Sequence, residues 1–371
     1  MQLNSTLAFL VDAAAETRGA DLLLSKLGAH LIEDGVKLAG GALTLAAPHP
    51  LIAQRTWLWR ADSGEVIEAL GFAPAGLAAA GAASQPGGPG RRWLENLAAG
   101  LVHEDAVRPR PDGPSLGWIG PRPFTCDEAN RLSEAARFAA APLAALTARA
   151  TLAAVLEAYL GKRSAARVLA GPLRRGVGET IQAALLFADL RGFTPLSESN
   201  PPSEVISALN AWFDRIALSV HAFGGEVLKF IGDGVLAIFP VADGAPARAC
   251  EAALRAISAA RAGMAHLDEA RRQQGLAPLP FGVALHLGEI LWGNIGSADR
   301  LDFTAIGPAV NLVSRLEGLC RPLEKAVLVS GAFAAETATP LVPLGEHALR
   351  GIAAPCAVFT MAEISATWRS A

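Results

Sequence analysis

The chain has 371 residues and a formal net charge of −3, long enough for two domains with their own cores and too evenly charged to coat a nucleic acid. Its mean hydropathy of +0.33 comes largely from alanine, and no segment offers about 18 to 20 residues free of charges and helix breakers, so no membrane span is expected. The short apolar start has no basic stretch before it and runs at once into Asp12 and Glu16, and Cys126, Cys250, Cys320 and Cys356 form no CxxC pair. These features argue against a signal peptide, a zinc site and a secreted disulfide framework, and the expectation is a cytoplasmic protein with small buried thiols.

In chain order, residues 1 to about 70 read as two helices followed by two strands. Leu22, Leu23, Leu27, His30 and Leu31 recur near helical spacing, whereas Ala42 to Leu45 and Thr56 to Trp59 read as strands. Gly71 to Gly90 carries no charge and is mostly Ala, Gly and Pro, the composition of a loop. Thr125 with Glu128 three residues on forms a capping box that opens a helix. Asp127 to Leu160 then exceeds the usual helix length and reads either as a signalling helix that pairs with a copy of itself or as two core helices kinked at Pro142. The succession helix, helix, strand, strand, loop, strand, long helix resembles a GAF-type sensor domain, in which Trp57, Trp59 and His49 could line a ligand pocket.

The second part alternates strands and helices, the pattern of an α/β sandwich with a mixed sheet. Ile181 to Ala188 is an apolar strand and Ser203 to Phe223 a helix with Trp212 and Ile216 on its buried face. Glu226 to Ile231 and Val235 to Phe239 flank Gly232-Asp233-Gly234, a tight hairpin with an acid at its tip. Ala245 to Leu267 is a helix and Pro280 to Leu287 a strand, after which Gly293 and Gly296 mark a turn region. Within Pro280 to Leu287, His286 has no Ser, Cys or Asp partner in view and reads as a packed strand histidine.

Two acids, Asp189 and Asp233, each stand where an apolar strand meets a turn, a good arrangement for divalent metal, and Asn311 and Arg315 lie one helical turn apart, where both can address one anionic group. Four runs, Phe187-x-Asp-Leu-x-x-Phe-Thr, Lys229-Phe-Ile-Gly-Asp, Gly293-Asn-Ile-Gly and Asn311-x-x-x-Arg315, agree in order and spacing with one family. Residues from about 180 to 335 resemble the catalytic domain of class III nucleotidyl cyclases, with Thr304, seven residues before Asn311, where many members have Asp and the soluble bacterial-type branch has Thr or Ser.

The cyclase resemblance implies a ferredoxin-like α/β sandwich cyclase domain (179–371), and the element order before it adds a GAF-like α/β sensor domain (1–126) and a helical connector (127–178). It implies adenylate cyclase activity, ATP giving 3′,5′-cyclic AMP and pyrophosphate, with a guanylate cyclase or a silent nucleotide-binding module as alternatives. Asp189 and Asp233 would hold two Mg²⁺ ions roughly 3.5 to 4 Å apart, with Mn²⁺ able to substitute. Gly192, Phe193 and Thr194 would offer backbone N–H groups to the triphosphate. Arg315 would stabilise charge on the α-phosphoryl group, Asn311 would orient the ribose, and Arg350 would stand near the phosphates. Lys229 would donate to adenine N1 and Thr304 would accept from the adenine amino group, which favours ATP over GTP. The family also implies a homodimer with two shared sites; the N-terminal part is expected to tune it in response to an unknown small-molecule or ionic regulator, and the balanced charge and lack of an expected span leave neither nucleic acid nor membrane as partner.

Overall fold

The computed structural model describes residues 3–47, 52–72, 89–107, 113–171, 176, 178–297 and 299–362. The chain divides into two compact units, Met1–Val155 and Leu156–Ala371.

The first unit contains α1 (Ser5–Ala8), α2 (Ala20–Glu33), β1 (Gly40–Ala46), β2 (Ile52–Arg60), β3 (Val66–Phe72), α3 (Pro89–Leu97), β4 (His103–Ala106), β5 (Ser115–Ile119), α4 (Cys126–Phe138) and the greater part of α5 (Ala140–Leu160). Its sheet is antiparallel in the order β3-β2-β1-β5-β4. The two-residue alternation of each strand sorts its side chains. Leu43, Trp59 and Trp118 pack with Leu23, Leu27 and Leu31 of α2 and Leu132 and Ala136 of α4. Ala42, Leu58 and Ile119 meet Leu94 of α3 on the other face. Gly28 lets α2 lie directly on Trp59, since a Cβ there would come within 2.4 Å of the indole.

Several expectations change here. Among the described residues five strands form where three were expected, because β3 and the four-residue β4 carry weak alternation and owe their pairing to neighbours. Of the uncharged stretch, residues 73–88 lie outside the described residues, but Gly71 and Phe72 end β3 and Pro89 and Gly90 begin α3. Trp59 is a core residue stacked edge-on to Trp118 at 6.3 Å, not a pocket wall; His49 lies outside the described residues.

The capping box at Thr125 is present, with both reciprocal hydrogen bonds. Asp127 to Leu160 is not one helix. It breaks at Ala139, because Pro142 has no N–H to give the Phe138 carbonyl and its ring crowds that carbonyl. Pro142, Leu143 and Leu146 are buried, whereas Leu152, Val155 and Tyr159 are exposed. Against the expectation from sequence, α5 is long and apolar enough to cross a membrane by length and composition. It nonetheless carries Arg149 and Glu157 besides Pro142.

The second unit contains α6 (Lys162–Ala170), β6 (Gly178–Leu190), α7 (Phe193–Ser199), α8 (Pro202–Ala222), β7 (Glu226–Ile231), β8 (Gly234–Pro240), α9 (Pro246–Gln273), β9 (Phe281–Gly296), β10 (Leu301–Ile306), α10 (Pro308–Glu317), β11 (Val327–Ser330), α11 (Gly331–Ala334), β12 (Leu341–His347) and β13 (Cys356–Met361). The run β6-α8-β7-β8-α9-β9 builds antiparallel strands in the order β9-β6-β8-β7, the ferredoxin-like arrangement. Beyond β9 the sheet continues through β11, β13 and β12, and β10 pairs with β9.

Alternate residues of β6 serve two cores. Ala184, Leu186 and Ala188 pack with Trp212 and Ile216 of α8 and Ala253 and Ile257 of α9. Ala183 and Leu185 face Ala309, Val313 and Leu316 of α10. The sheet is thus an α/β sandwich with two buried faces, as expected. One boundary differs: Gly293 to Gly296 is not a turn but the end of a sixteen-residue β9, paired with β10 throughout and with β6 as far as Gly293.

His286 in β9 is buried and shares a 2.8 Å hydrogen bond with Ser330. Burial pulls its pKa down to about 4. The unfolded chain therefore takes up a proton below about pH 6.5 that the folded protein refuses, and stability falls as pH drops from there towards 4. The contribution at stake is about 3 kcal/mol. Buried carboxyls with raised pKa act in the opposite sense, so the contrast is to be read between proteins. The melting-temperature advantage of the wild type over His286→Gln is expected to shrink between pH 7 and pH 5; an advantage independent of pH would contradict a neutral buried imidazole.

Candidate active site

Asp189 stands near the end of β6, on the sheet face that α10 covers, and the chain turns immediately after Leu190. Asp233 occupies the two-residue tip between β7 and β8, where Gly232 supplies the positive φ (63°) that so tight a turn demands. The tip is pinned by the buried Trp212, whose indole N–H donates to the Asp233 carbonyl at 2.9 Å. The two carboxyls lie within hydrogen-bonding reach of each other. Burial, then the charge of Asp233 and the hydrogen bond with it, raise Asp189 to about 6.

A third acid, Glu317 at the end of α10, joins the electrostatics of this pair. Its pKa rises to about 7 through burial and then the charge of Asp189, opposed by Arg191. Arg191 donates through Nη2 to the Lys325 carbonyl, which holds the guanidinium behind the site. The meeting of the Asp189 and Asp233 carboxyls in one half-buried place is a poor arrangement for the bare protein and one that a hard cation such as Mg²⁺ or Mn²⁺ would relieve. Asp189 and Asp233 are the residues that could hold such ions.

Gly192 caps α7 with φ 75° and ψ 25°, a left-handed conformation that disfavours a side chain, in a place where a Cβ would meet nothing within 4 Å. The Phe193 ring packs against the core that α8 covers, and Gly192 and Thr194 are exposed.

Lys229, Thr304 and a residue absent from the sequence reading, Asp302, form a second group. A bulge between Val227 and Lys229 shifts the register of β7 and re-aims the lysine. Lys229 Nζ makes an ion pair with Asp302 of β10, and Asp302 and Thr304, two residues apart, share a face of that strand. Asp302 carried no readable signal because it lies 73 residues from its partner. Asn311 and Arg315 stand exposed on α10, one turn apart, and Arg315 makes no ion pair among the described residues. Neither Lys229 nor Arg315 is among the groups that perturb Asp189. Arg350 is exposed in the turn between β12 and β13, beside Gly351 with φ 78°. The structure therefore brings Asp189 to Asp233, and Lys229 to the Thr304 strand, as two separate groups.

Comparison with known proteins agrees with this geometry. Residues 177–341 match the adenylate and guanylate cyclase catalytic domain family. The chain is 35% identical over 157 residues to adenylate cyclase 1 of Rhizobium meliloti, covering 42% of this chain and 23% of that protein. It is 30% identical over 169 residues to an adenylate cyclase of Anabaena cylindrica, covering 44% and 32%. The structure of a bacterial light-regulated adenylyl cyclase superposes over 70% of this chain and 85% of its own, at 22% identity and a TM-score of 0.51, which supports the fold. The matched stretch thus spans about a quarter to a third of these two curated relatives. Residues 177–341 are a class III nucleotidyl cyclase catalytic domain.

Proposed function

We propose that this protein is an adenylate cyclase, forming 3′,5′-cyclic AMP and pyrophosphate from ATP. The observation that carries the reading is the meeting of Asp189 and Asp233 carboxyls at the strand ends, half-buried and repelling each other until a cation arrives. In the reaction the ribose 3′-oxygen forms a bond to the α-phosphorus and the bond to the pyrophosphate breaks. Bound Mg²⁺, or Mn²⁺ in its place, would supply activation of the hydroxyl and neutralisation of the triphosphate. Asp189 and Asp233 hold that charge, and the N–H groups of Gly192, Phe193 and Thr194 donate to phosphate oxygens.

Lys229 donates to adenine N1, its ammonium oriented by Asp302, and Thr304 accepts from the adenine amino group. Guanine presents a donor where Lys229 also donates, which leaves two donors facing each other unsatisfied. Arg350 stands by as a further phosphate contact. The exposed Asn311 and Arg315 fit a homodimer in which a second copy lends them to the site, Asn311 to the ribose and Arg315 to the α-phosphoryl charge. The first unit, read as GAF-like and cytoplasmic, would tune the pair through a small-molecule or ionic signal. Its antiparallel sheet with helices on both faces supports a sensor-like module.

Lys229→Ala is expected to lower kcat/KM for ATP by about tenfold to a hundredfold and to leave the low rate with GTP nearly unchanged. Steady-state rates with both nucleotides check it. An equal loss with both would show that Lys229 does not read the base.

A further inference from the structure

β7 is an edge strand, paired with β8 on one side only. Its bulge decides where its side chains go. Glu226 pairs with Ile238 and Lys229 with Leu236, both in the core that α10 covers, whereas Val227 pairs with Ala237 of the opposite core. Residues directly opposite across a ladder share a face. Glu226 and Lys229, an odd number of residues apart, therefore stand on the same face of β7, because the bulge inserts Leu228 between them. α6 lies on that face: Val168 packs against the same core, and Ser164 and Ala165 are buried. Glu226, only 3% exposed, accepts through Oε1 from the Ser164 backbone N–H at 2.9 Å and from Ser164 Oγ at 2.7 Å. That N–H belongs to the first turn of α6, where no carbonyl of the helix can reach it, so the Glu226 carboxyl caps the helix from a strand 62 residues away. Gly161 leaves room for it: a Cβ there would lie 3.0 Å from Glu226 Oε1.

Four joins close a frame around Lys229. Glu226 ties β7 to α6. Arg167 of α6 lies over the Trp292 ring of β9 at 4.6 Å and makes an ion pair with Glu179 of β6 at 2.5 Å. β9 and β10 are joined by their ladder, in which Trp292 pairs with Ala305 and Gly293 with Thr304. Lys229 Nζ reaches back from β7 to Asp302 of β10. We propose that Glu226 is a positioning residue for base recognition, which acts through Ser164 and α6 to hold the bulged segment of β7 where Lys229 meets β10. Leu228, beside the lysine, packs in the same core as Trp292 and Phe303, so a shift at the start of β7 is carried to Lys229. Glu226 Oε2 has no hydrogen-bond partner among the described residues. As a mere filler of the core an apolar side chain would cost less, and what the carboxyl adds is the join to α6. The proposal rests on the reading of Lys229 as the residue that meets the adenine, and extends it to α6, the helix that precedes the catalytic sheet in the chain.

The test compares kcat/KM for ATP and for GTP in full-length wild type, Glu226→Ala, Lys229→Ala and the double variant, with a melting curve for each. Glu226→Ala is expected to lower the ATP-to-GTP ratio of kcat/KM about tenfold. On the Lys229→Ala background it is expected to change that ratio no further, because the two residues act through one contact. A purely structural role would lower both rates alike, so Glu226→Ala with a lower melting temperature and a wild-type ratio would overturn the proposal, as would a further fall of the ratio in the double variant. Should Glu226→Ala not fold, Ser164→Ala decides, since it removes one of the two donors and suits a helix: a lowered ratio supports the proposal and a wild-type ratio overturns it. A ratio moved by Lys229→Ala but not by Glu226→Ala defeats the proposal alone. A ratio that Lys229→Ala itself leaves unchanged sinks the base-reading assignment, and the proposal with it.

Discussion

Replacing Asp233 by Ala is expected to reduce cyclic nucleotide formation by about a thousandfold or more, because several kcal/mol of charge stabilisation leave with the metal and each 1.4 kcal/mol is about tenfold in rate. The fold should survive. Asp233 sits at a hairpin tip whose shape is set by Gly232 and by the Trp212 bond to the Asp233 carbonyl, a backbone group that the substitution leaves in place. Removing one of two mutually repelling carboxyls should also relax Asp189 towards its ordinary carboxylate range, so the metal-free protein should melt no lower than wild type. Initial rates and melting curves on the same preparation check both halves. A variant that retains more than about a tenth of wild-type activity would remove Asp233 from the metal site.

The second large effect concerns the sharing of sites. If Asp189 and Asp233 come from one chain and Asn311 and Arg315 from another, Asp233→Ala and Arg315→Ala should each be inactive alone and active together. Random pairing makes about half of all dimers mixed, and a mixed dimer has one intact site of two, so about a quarter of the wild-type rate is expected. Co-expression of the two variants, followed by assay of the unfractionated mixture, measures it. Complete inactivity of the mixture would place all four residues in one chain's site. The geometry speaks for sharing: Lys229 and Asp233 are four residues apart, roughly 13 Å along an extended strand, and the Asp189 carboxyl is perturbed by Asp233 and by no basic side chain.

Much of this site was legible because its residues sit at places that local rules mark. An acid after an apolar strand, a Gly-Asp-Gly between two strands, and Asn and Arg one turn apart on a helix are short-range patterns, and Asp189, Asp233, Asn311 and Arg315 all occur where those patterns put them. The βαββαβ order of the second unit follows from the same alternation. What was not legible depends on distant parts of the chain. Asp302 matters through Lys229, 73 residues away, and Glu317 of α10 comes to lie against Gly282 of β9, the residue paired with Asp189. The glycines at Gly293 and Gly296 read as a turn because local composition cannot show that β10 pairs with both and β6 with Gly293. In the first unit, β4 is four residues with two acids and a histidine, and only its pairing with β5 makes it a strand. The break at Ala139 was half legible: Pro142 announced a kink, but its effect falls on the carbonyl four residues earlier.

The measurement that tests the central claim most directly is analysis of the products formed by purified full-length protein from ATP and from GTP, each with Mg²⁺ or Mn²⁺. The account predicts 3′,5′-cyclic AMP and pyrophosphate in equal amounts from ATP, with far less cyclic GMP from GTP. Cyclic GMP as the main product would contradict the role given to Lys229 and Thr304, and no cyclic nucleotide from either substrate would contradict the cyclase reading itself.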